Sequence, residues 1–237
     1  MLRIKICGIR TREEARWAVE AGADALGFIF VPHSKRYIQP ETAREIILSL
    51  PPLISKVGVF AQASPEHVGR IIHECSLDTI QLHGNEDPRL YRHLSVTKIK
   101  AFSFPSAPAP GNSSEAAPDF SLVETSPSSS FPTSFRELPP ASLHRILLDS
   151  SAGGRTGGTG IPLPWHTPEF QDFLHQVGDL GYPLILAGGL NPDNILEAIR
   201  LTRPYGVDVS SGVERNGRKD REKIQHFISQ ARKESPL

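Results

Sequence analysis

The sequence predicts an α/β protein, a single-domain (β/α)8 TIM barrel spanning residues 1–237. Short strand-like runs alternate with helical patterns along almost the whole chain. The strand-like runs number eight, and 237 residues suit one barrel of eight units. Alternation of this kind implies a parallel sheet covered by helices. An open doubly wound sheet is the alternative, and the count of eight favours closure.

The strands are expected at Arg3–Cys7, Ala25–Phe30, Lys56–Phe60, Thr79–His83, Lys98–Phe102, Arg145–Asp149, Pro183–Gly188 and Gly206–Ser210. The helices between them carry start signals. Thr11 precedes REEARWAVEAG with Glu14 three residues on, a capping-box spacing, and Gly22 closes the run. Pro40 opens PETAREIILSL, and Ser64 with Pro65 supplies an N-cap and first-turn proline for a helix through His73. Asn191 and Pro192 read the same way for PDNILEAIRLT. Asp220 leads the last helix, where Ile224, Phe227, Ile228 and Ala231 share one face.

One segment breaks the rhythm. Between Ser103 and Ser142, 19 of 40 residues are Ser or Pro, too many prolines for a regular helix and a composition suited to a linker. Residues 103–142 therefore read as an insertion between strands five and six, with an irregular segment in place of a regular fifth helix. A surface insertion is the plainer reading and a lid over the site the functional one.

Lys plus Arg and Asp plus Glu each number 26. That balance gives no global attraction to nucleic acid or an anionic membrane, although it leaves room for a local anion site. Cys7 and Cys75 are too few and too far apart for a disulfide framework or a zinc site. No apolar run reaches a membrane span and no leader is evident, so a soluble cytoplasmic protein is expected.

Barrel chemistry gathers at the C-terminal ends of the strands. Side-chain alternation puts Arg3, Lys5 and Cys7 on one face of the first strand and Ile4 and Ile6 on the other. Cys7 should then point into the barrel mouth with Lys5 one layer below. A neighbouring cation would lower its thiol pKa and make it a usable base or nucleophile; alternatively it is a small buried apolar residue. Asp149, closing RILLD, is costly to bury without partners. It suits a general acid or base, or else a turn or capping contact.

The stretch SSAGGRTGGTG holds five glycines between Gly153 and Gly160 and reads as a flexible flap. LILAGGLNPDN and VDVSSGVE each run from a strand through small residues into a helix. On strands seven and eight such loops bind phosphate through backbone N–H groups, which nominates Gly188, Gly189, Ser211 and Gly212. Arg36, beyond strand two, can grip a carboxylate with two parallel bonds, whereas Lys35 reads as solvated. Lys5, Gln81, His83 and Asp208 are weaker candidates for orienting a substrate, Asp208 through a hydroxyl.

Taken in order, K-I-C-G, G-F-I-F-V-P-H-S-K-R-Y-I, V-G-V-F, Q-L-H-G, L-L-D-S, G-G-T-G, L-A-G-G-L-N-P-D-N, G-V-D-V-S-S-G-V-E and a late K-D resemble the phosphoribosylanthranilate isomerase family of tryptophan biosynthesis. The resemblance covers nearly the whole chain except about 103–142. It implies the single-domain barrel and an Amadori rearrangement of N-(5-phosphoribosyl)anthranilate to 1-(2-carboxyphenylamino)-1-deoxyribulose 5-phosphate. Carried over by position, it implies Cys7 as general base, Asp149 as general acid, Arg36 on the anthranilate carboxylate, and the last two loops on the phosphate. It implies a small phosphorylated substrate, no metal and no organic cofactor, and leaves monomer or homodimer open. The histidine-pathway isomerase with the same chemistry would carry an aspartate where Cys7 stands. A non-catalytic phosphometabolite-binding barrel would have no need of both Cys7 and Asp149.

Overall fold

The computed structural model describes residues 1–105, 142–152, 155–156 and 162–234. Eight parallel strands form the barrel: β1 (Arg3–Cys7), β2 (Ala25–Ile29), β3 (Ser55–Phe60), β4 (Thr79–Leu82), β5 (Thr97–Pro105), β6 (Arg145–Ala152), β7 (Leu184–Leu186) and β8 (Gly206–Val209). Each pairs with the next, β5 joins β6, and β8 returns to β1 with Lys5 beside Asp208, so the sheet closes. The boundaries differ from the sequence expectation by a residue or two, except that β5 runs on to Pro105 and β6 to Ala152, paired side by side as far as Pro105 and Ser151. The first three residues assigned to the Ser/Pro-rich segment thus belong to the barrel wall. Residues 106–141 of that segment, and 153–154 and 157–161 of the glycine-rich stretch, lie outside the described residues.

Two apolar layers result from strand alternation. Outward side chains such as Ile4, Ile6, Leu26, Phe28, Ile80, Leu148 and Val207 pack under the helices. Inward ones form a smaller interior cluster of Val57, Ile99, Ala101, Leu147, Ile185 and Ala187. The interior of the barrel is filled rather than hollow, as expected for eight strands. The β1 side of the interior is polar, and this asymmetry sets up the site.

The helices begin where their caps dictate. In α1 (Arg12–Ala21) Thr11 accepts from the Glu14 N–H, and Glu14 answers by accepting from the N–H groups of Arg10 and Thr11. Helices α2 (Pro40–Ile47) and α3 (Pro65–Cys75) start on their prolines, and Ser64 caps α3. A further helix, α4 (Pro168–Asp179), follows β6; Thr167 caps it and Pro168 opens it, the same signal as at Ser64 and Pro65. After β4 there is a single 3-10 turn at Pro88–Tyr91 instead of an α-helix. Buried Tyr91 anchors it through a hydrogen bond to the Ala63 carbonyl.

One start is corrected. Helix α5 (Ile195–Thr202) has Asn194 at its cap position, not Asn191. Asn191 uses its side-chain oxygen to accept from the N–H groups of Asp193 and Asn194. This local turn competes with helix and delays the start by a turn. Helix α6 (Arg221–Lys233) begins after Asp220 and buries Ile224, Phe227, Ile228 and Ala231 as the periodicity requires.

Candidate active site

Cys7 ends β1 with an inward side chain that is 5% exposed. It lies in register with Gly27, and a Cβ at that glycine would fall 2.7 Å from the Cys7 sulfur and 3.1 Å from Lys5 Cε. The thiol occupies the space that a side chain at position 27 would fill. The next residue, Gly8, has φ +82°, and a Cβ there would meet Arg36 Cδ at 2.6 Å. The C-G pair of the K-I-C-G motif therefore seats the thiol and lets Arg36 lie across the backbone beside it.

The cations act on Cys7 in the expected direction, but the net shift is upward. Burial pushes the thiol above its ordinary value of 9.0 and Asp208 adds to the rise, while Lys5 and Lys219 oppose it without prevailing. Desolvation penalises a thiolate inside the barrel more than two ammonium groups relieve it. Lys5 itself is raised: burial works against its charge, but Asp208 and Cys7 outweigh that penalty.

Below the thiol, polar side chains connect opposite walls of the barrel. Lys5 Nζ donates to Asp208 Oδ1 at 2.9 Å and to Gln81 Oε1 at 2.9 Å. Gln81 Nε2 lies 2.8 Å from His83 Nδ1, and His83 Nε2 lies 3.3 Å from Asp149 Oδ2. Asp149 Oδ1 accepts from the Ser150 N–H at 2.8 Å. The chain Asp208–Lys5–Gln81–His83–Asp149 thus runs from β8 through β1 and β4 to β6. It joins the four weaker candidates to one another and to the predicted acid. Asp208 Oδ1 accepts from Lys5.

Arg36 reaches the mouth from the loop after β2. Its Nε and Nη2 donate to Glu214 at 2.6 and 2.9 Å in a two-pronged ion pair, a geometry that fixes the guanidinium plane. The Glu214 bond raises the Arg36 pKa further against the opposing effect of burial. Glu214 also receives Lys219 Nζ at 2.8 Å. Lys219 donates in addition to the Ser210 carbonyl at 3.0 Å and hydroxyl at 3.3 Å, and that hydroxyl donates to the Cys7 carbonyl at 3.0 Å. Both residues come from a two-stranded hairpin, Glu214–Arg215 with Arg218–Lys219, beyond β8. Reading by strand ends passes over them, although the V-E and K-D positions stand within matched motifs. Lys35 is exposed as expected.

The loops after β7 and β8 adjoin. A Cβ at Gly212 would overlap the Leu190 carbonyl at 1.8 Å, and one at Gly188 would fall 2.5 Å from the Ser150 nitrogen. Gly188 and Gly189 take φ values of +76° and +62°, and Ser211 and Gly212 lie in a 3-10 turn. Among the described residues, none accepts a hydrogen bond from the backbone N–H of Gly188, Gly189, Ser211 or Gly212. Also among the described residues, no group of three or more His, Cys, Asp or Glu is placed to hold a metal ion, and no helix is long and apolar enough to cross a membrane.

A closed barrel with a thiol, a carboxyl and an arginine around one mouth defines the class: a (β/α)8-barrel protein with an enzyme-type site at the C-terminal ends of its strands. The sequence matches the family model of N-(5'-phosphoribosyl)anthranilate (PRA) isomerase over residues 4–230. It is 97% identical over 237 residues, all of both chains, to an N-(5'-phosphoribosyl)anthranilate isomerase of Desulfitobacterium hafniense. To the Geobacter sp. (strain M21) protein of that description it is 40% identical, over 98% of this chain and 99% of the other. The crystal structure of the Thermotoga maritima isomerase superposes with a TM-score of 0.74 at 37% identity, covering 98% and 100% of the two chains. A structure of the isomerase in complex with reduced 1-(o-carboxyphenylamino)-1-deoxyribulose 5-phosphate superposes at 0.72, with 36% identity and the same coverage. The chain belongs to the N-(5'-phosphoribosyl)anthranilate isomerase family of tryptophan biosynthesis.

Proposed function

We propose that the chain converts N-(5'-phosphoribosyl)anthranilate to 1-(o-carboxyphenylamino)-1-deoxyribulose 5-phosphate by general acid–base catalysis, with Asp149 as acid and Cys7 as base. The carrying observation is that these two groups sit on inward positions at the same end of β1 and β6, and that Lys5, whose charge acts on Cys7, is joined through Gln81 and His83 to Asp149. Protonated Asp149 donates to the ribose ring oxygen as the C1–oxygen bond breaks, and the nitrogen lone pair forms the iminium C=N bond. The Cys7 thiolate then takes the C2 proton. The C–H electrons form the C1–C2 double bond and neutralise the nitrogen. The enol closes to the ketone as C1 gains a proton and the C2 hydroxyl loses one.

Arg36 receives the anthranilate carboxylate on the guanidinium edge that Glu214 leaves open, and the adjoining loops after β7 and β8 receive the phosphate through backbone N–H groups. The substrate is a small phosphorylated molecule, with no nucleic acid or membrane partner. Two free, buried cysteines fit the reducing cytoplasm. The protein works as a monomer or homodimer; solved relatives include mutually generated monomers of the dimeric Thermotoga maritima enzyme.

Loss of phosphoribosylanthranilate fluorescence, without added metal or cofactor, tests the activity. Cys7→Ala and Asp149→Asn should each lower turnover by about 10²–10⁴-fold, the scale of acid–base catalysis. Wild-type turnover in folded Cys7→Ala would remove the thiol from the mechanism.

A further inference from the structure

Lys219 is a buried cation whose hydrogen bonds go to Ser210 and Glu214 rather than to Cys7 or Asp149. Its side chain is 1% exposed and lies 2.8 Å from Glu214, which is itself 8% exposed. A buried lysine is costly unless its charge is used or compensated: burial draws the Lys219 ammonium below its ordinary value, and Glu214 opposes that without prevailing. Compensation by Glu214 is incomplete as an explanation, because the same carboxylate already serves Arg36 with both oxygens. Glu214 is ionised: burial opposes its charge, yet the Arg36 bond and Lys219 bring its carboxyl down to about 2. Arg36 and Glu214 alone would form a neutral pair, and a neutral pair is a poor magnet for a carboxylate.

We propose that Lys219 is a positioning residue for substrate discrimination, returning one net positive charge to the Arg36–Glu214 pair so that the three side chains act as a single cationic receptor for the aryl carboxylate. The two ends of the unit are built differently. Glu214 occupies Nε and Nη2 of Arg36, which fixes the plane and leaves the far edge of the guanidinium for the ligand. Lys219 stands behind Glu214, held by the Ser210 carbonyl and hydroxyl. Its backbone N–H reaches Glu14 Oε1 at 3.4 Å, which docks the hairpin on the cap of α1. The ammonium has no route to touch the carboxylate and acts through charge alone. The inference rests on Arg36 holding the carboxylate.

The test compares two inhibitors, the reduced carboxyphenylamino-deoxyribitol phosphate and its phenylamino counterpart lacking the carboxylate. The ratio of their inhibition constants measures discrimination for that one group. Lys219→Gln keeps a donor for the Ser210 carbonyl but removes the charge, and Lys219→Met removes both. In each, discrimination should fall by about tenfold, the scale of one unit charge acting across roughly 10 Å of partly desolvated protein, while the phenylamino compound binds as in wild type. Lys219→Arg should restore discrimination. A merely structural Lys219 would weaken both inhibitors alike, and either that result or unchanged discrimination in folded Lys219→Gln overturns the proposal. Arg36→Met separates the two levels: if it leaves discrimination intact, the assignment of Arg36 fails as well; if it abolishes discrimination while Lys219→Gln does not, only the role of Lys219 fails.

Discussion

Gln81 fixes which nitrogen of His83 carries the proton. The Lys5 ammonium can only donate, so the Gln81 carbonyl oxygen, 2.9 Å away, must face it. The amide NH2 is thereby turned toward His83 Nδ1 at 2.8 Å, and Nδ1 must accept. The ring proton then sits on Nε2, 3.3 Å from Asp149. A lysine on β1 thus sets the tautomer of a histidine at the end of β4 and aims its N–H at a carboxyl on β6.

This relay has a measurable signature. Imidazole nitrogen-15 shifts of His83 should report Nε2 protonated and Nδ1 bare. Gln81→Met should abolish that preference and lower turnover by roughly 10–10²-fold, toward the lower end of acid–base effects. Finding Nδ1 protonated in the wild type would sink the account.

The raised Cys7 thiol gives a pH dependence with a definite sign. Burial and Asp208 hold the thiol above 9.0 against Lys5 and Lys219, so the thiolate fraction grows with alkaline pH. Iodoacetamide modification of Cys7, followed by peptide mass spectrometry, should therefore still be rising at pH 9. Lys5→Met should move the curve further up, since a thiolate-favouring charge is lost. Cys75, driven to about 11 chiefly by burial with help from Glu74 and Glu41, should react later. A rate that levels off below pH 8 would show a thiolate already formed.

Gly27 is a steric prediction. The 2.7 Å overlap of an added Cβ with the Cys7 sulfur means that Gly27→Ala must displace the thiol or Lys5. Activity should drop by about 10²-fold, the cost of a misplaced reacting group. The far-ultraviolet dichroism should stay that of the wild type. Retained activity with a shifted sulfur would show that the base tolerates displacement.

The barrel and the inward placement of Cys7 and Asp149 were legible because local rules govern them. Strand parity alone aims Lys5 and Cys7 inward, and Thr11 with Glu14 announces α1. The helix at Pro168–Asp179 was equally readable from Thr167–Pro168, whereas Asn191 misleads because its side chain builds a turn before the helix begins. The receptor behind Arg36 was not legible. Glu214 lies 178 residues from Arg36 and Lys219 comes from a hairpin with no periodic signature. Only the folded chain pairs them. The same holds for Lys5 and Asp208, 203 residues apart.

The closing strand also dictates when the enzyme can first exist during synthesis. Cys7 emerges from the ribosome well before Asp208, Ser210 and Lys219, with Ser210 203 residues behind it. Arg232 of α6 then ties back to the Leu2 and Gly22 carbonyls and to Asp24, whose carboxylate also holds the Ile4 N–H. A growing chain therefore carries its thiol with no carboxylate, hydroxyl or second ammonium around it until the C-terminal residues arrive. Pairing of such distant residues is slow to form, and the first strand waits longest for its second neighbour. Translation supplies the thiol first and its β8 and hairpin surroundings last, so synthesis of the segment carrying Lys219 is the event that commissions the site.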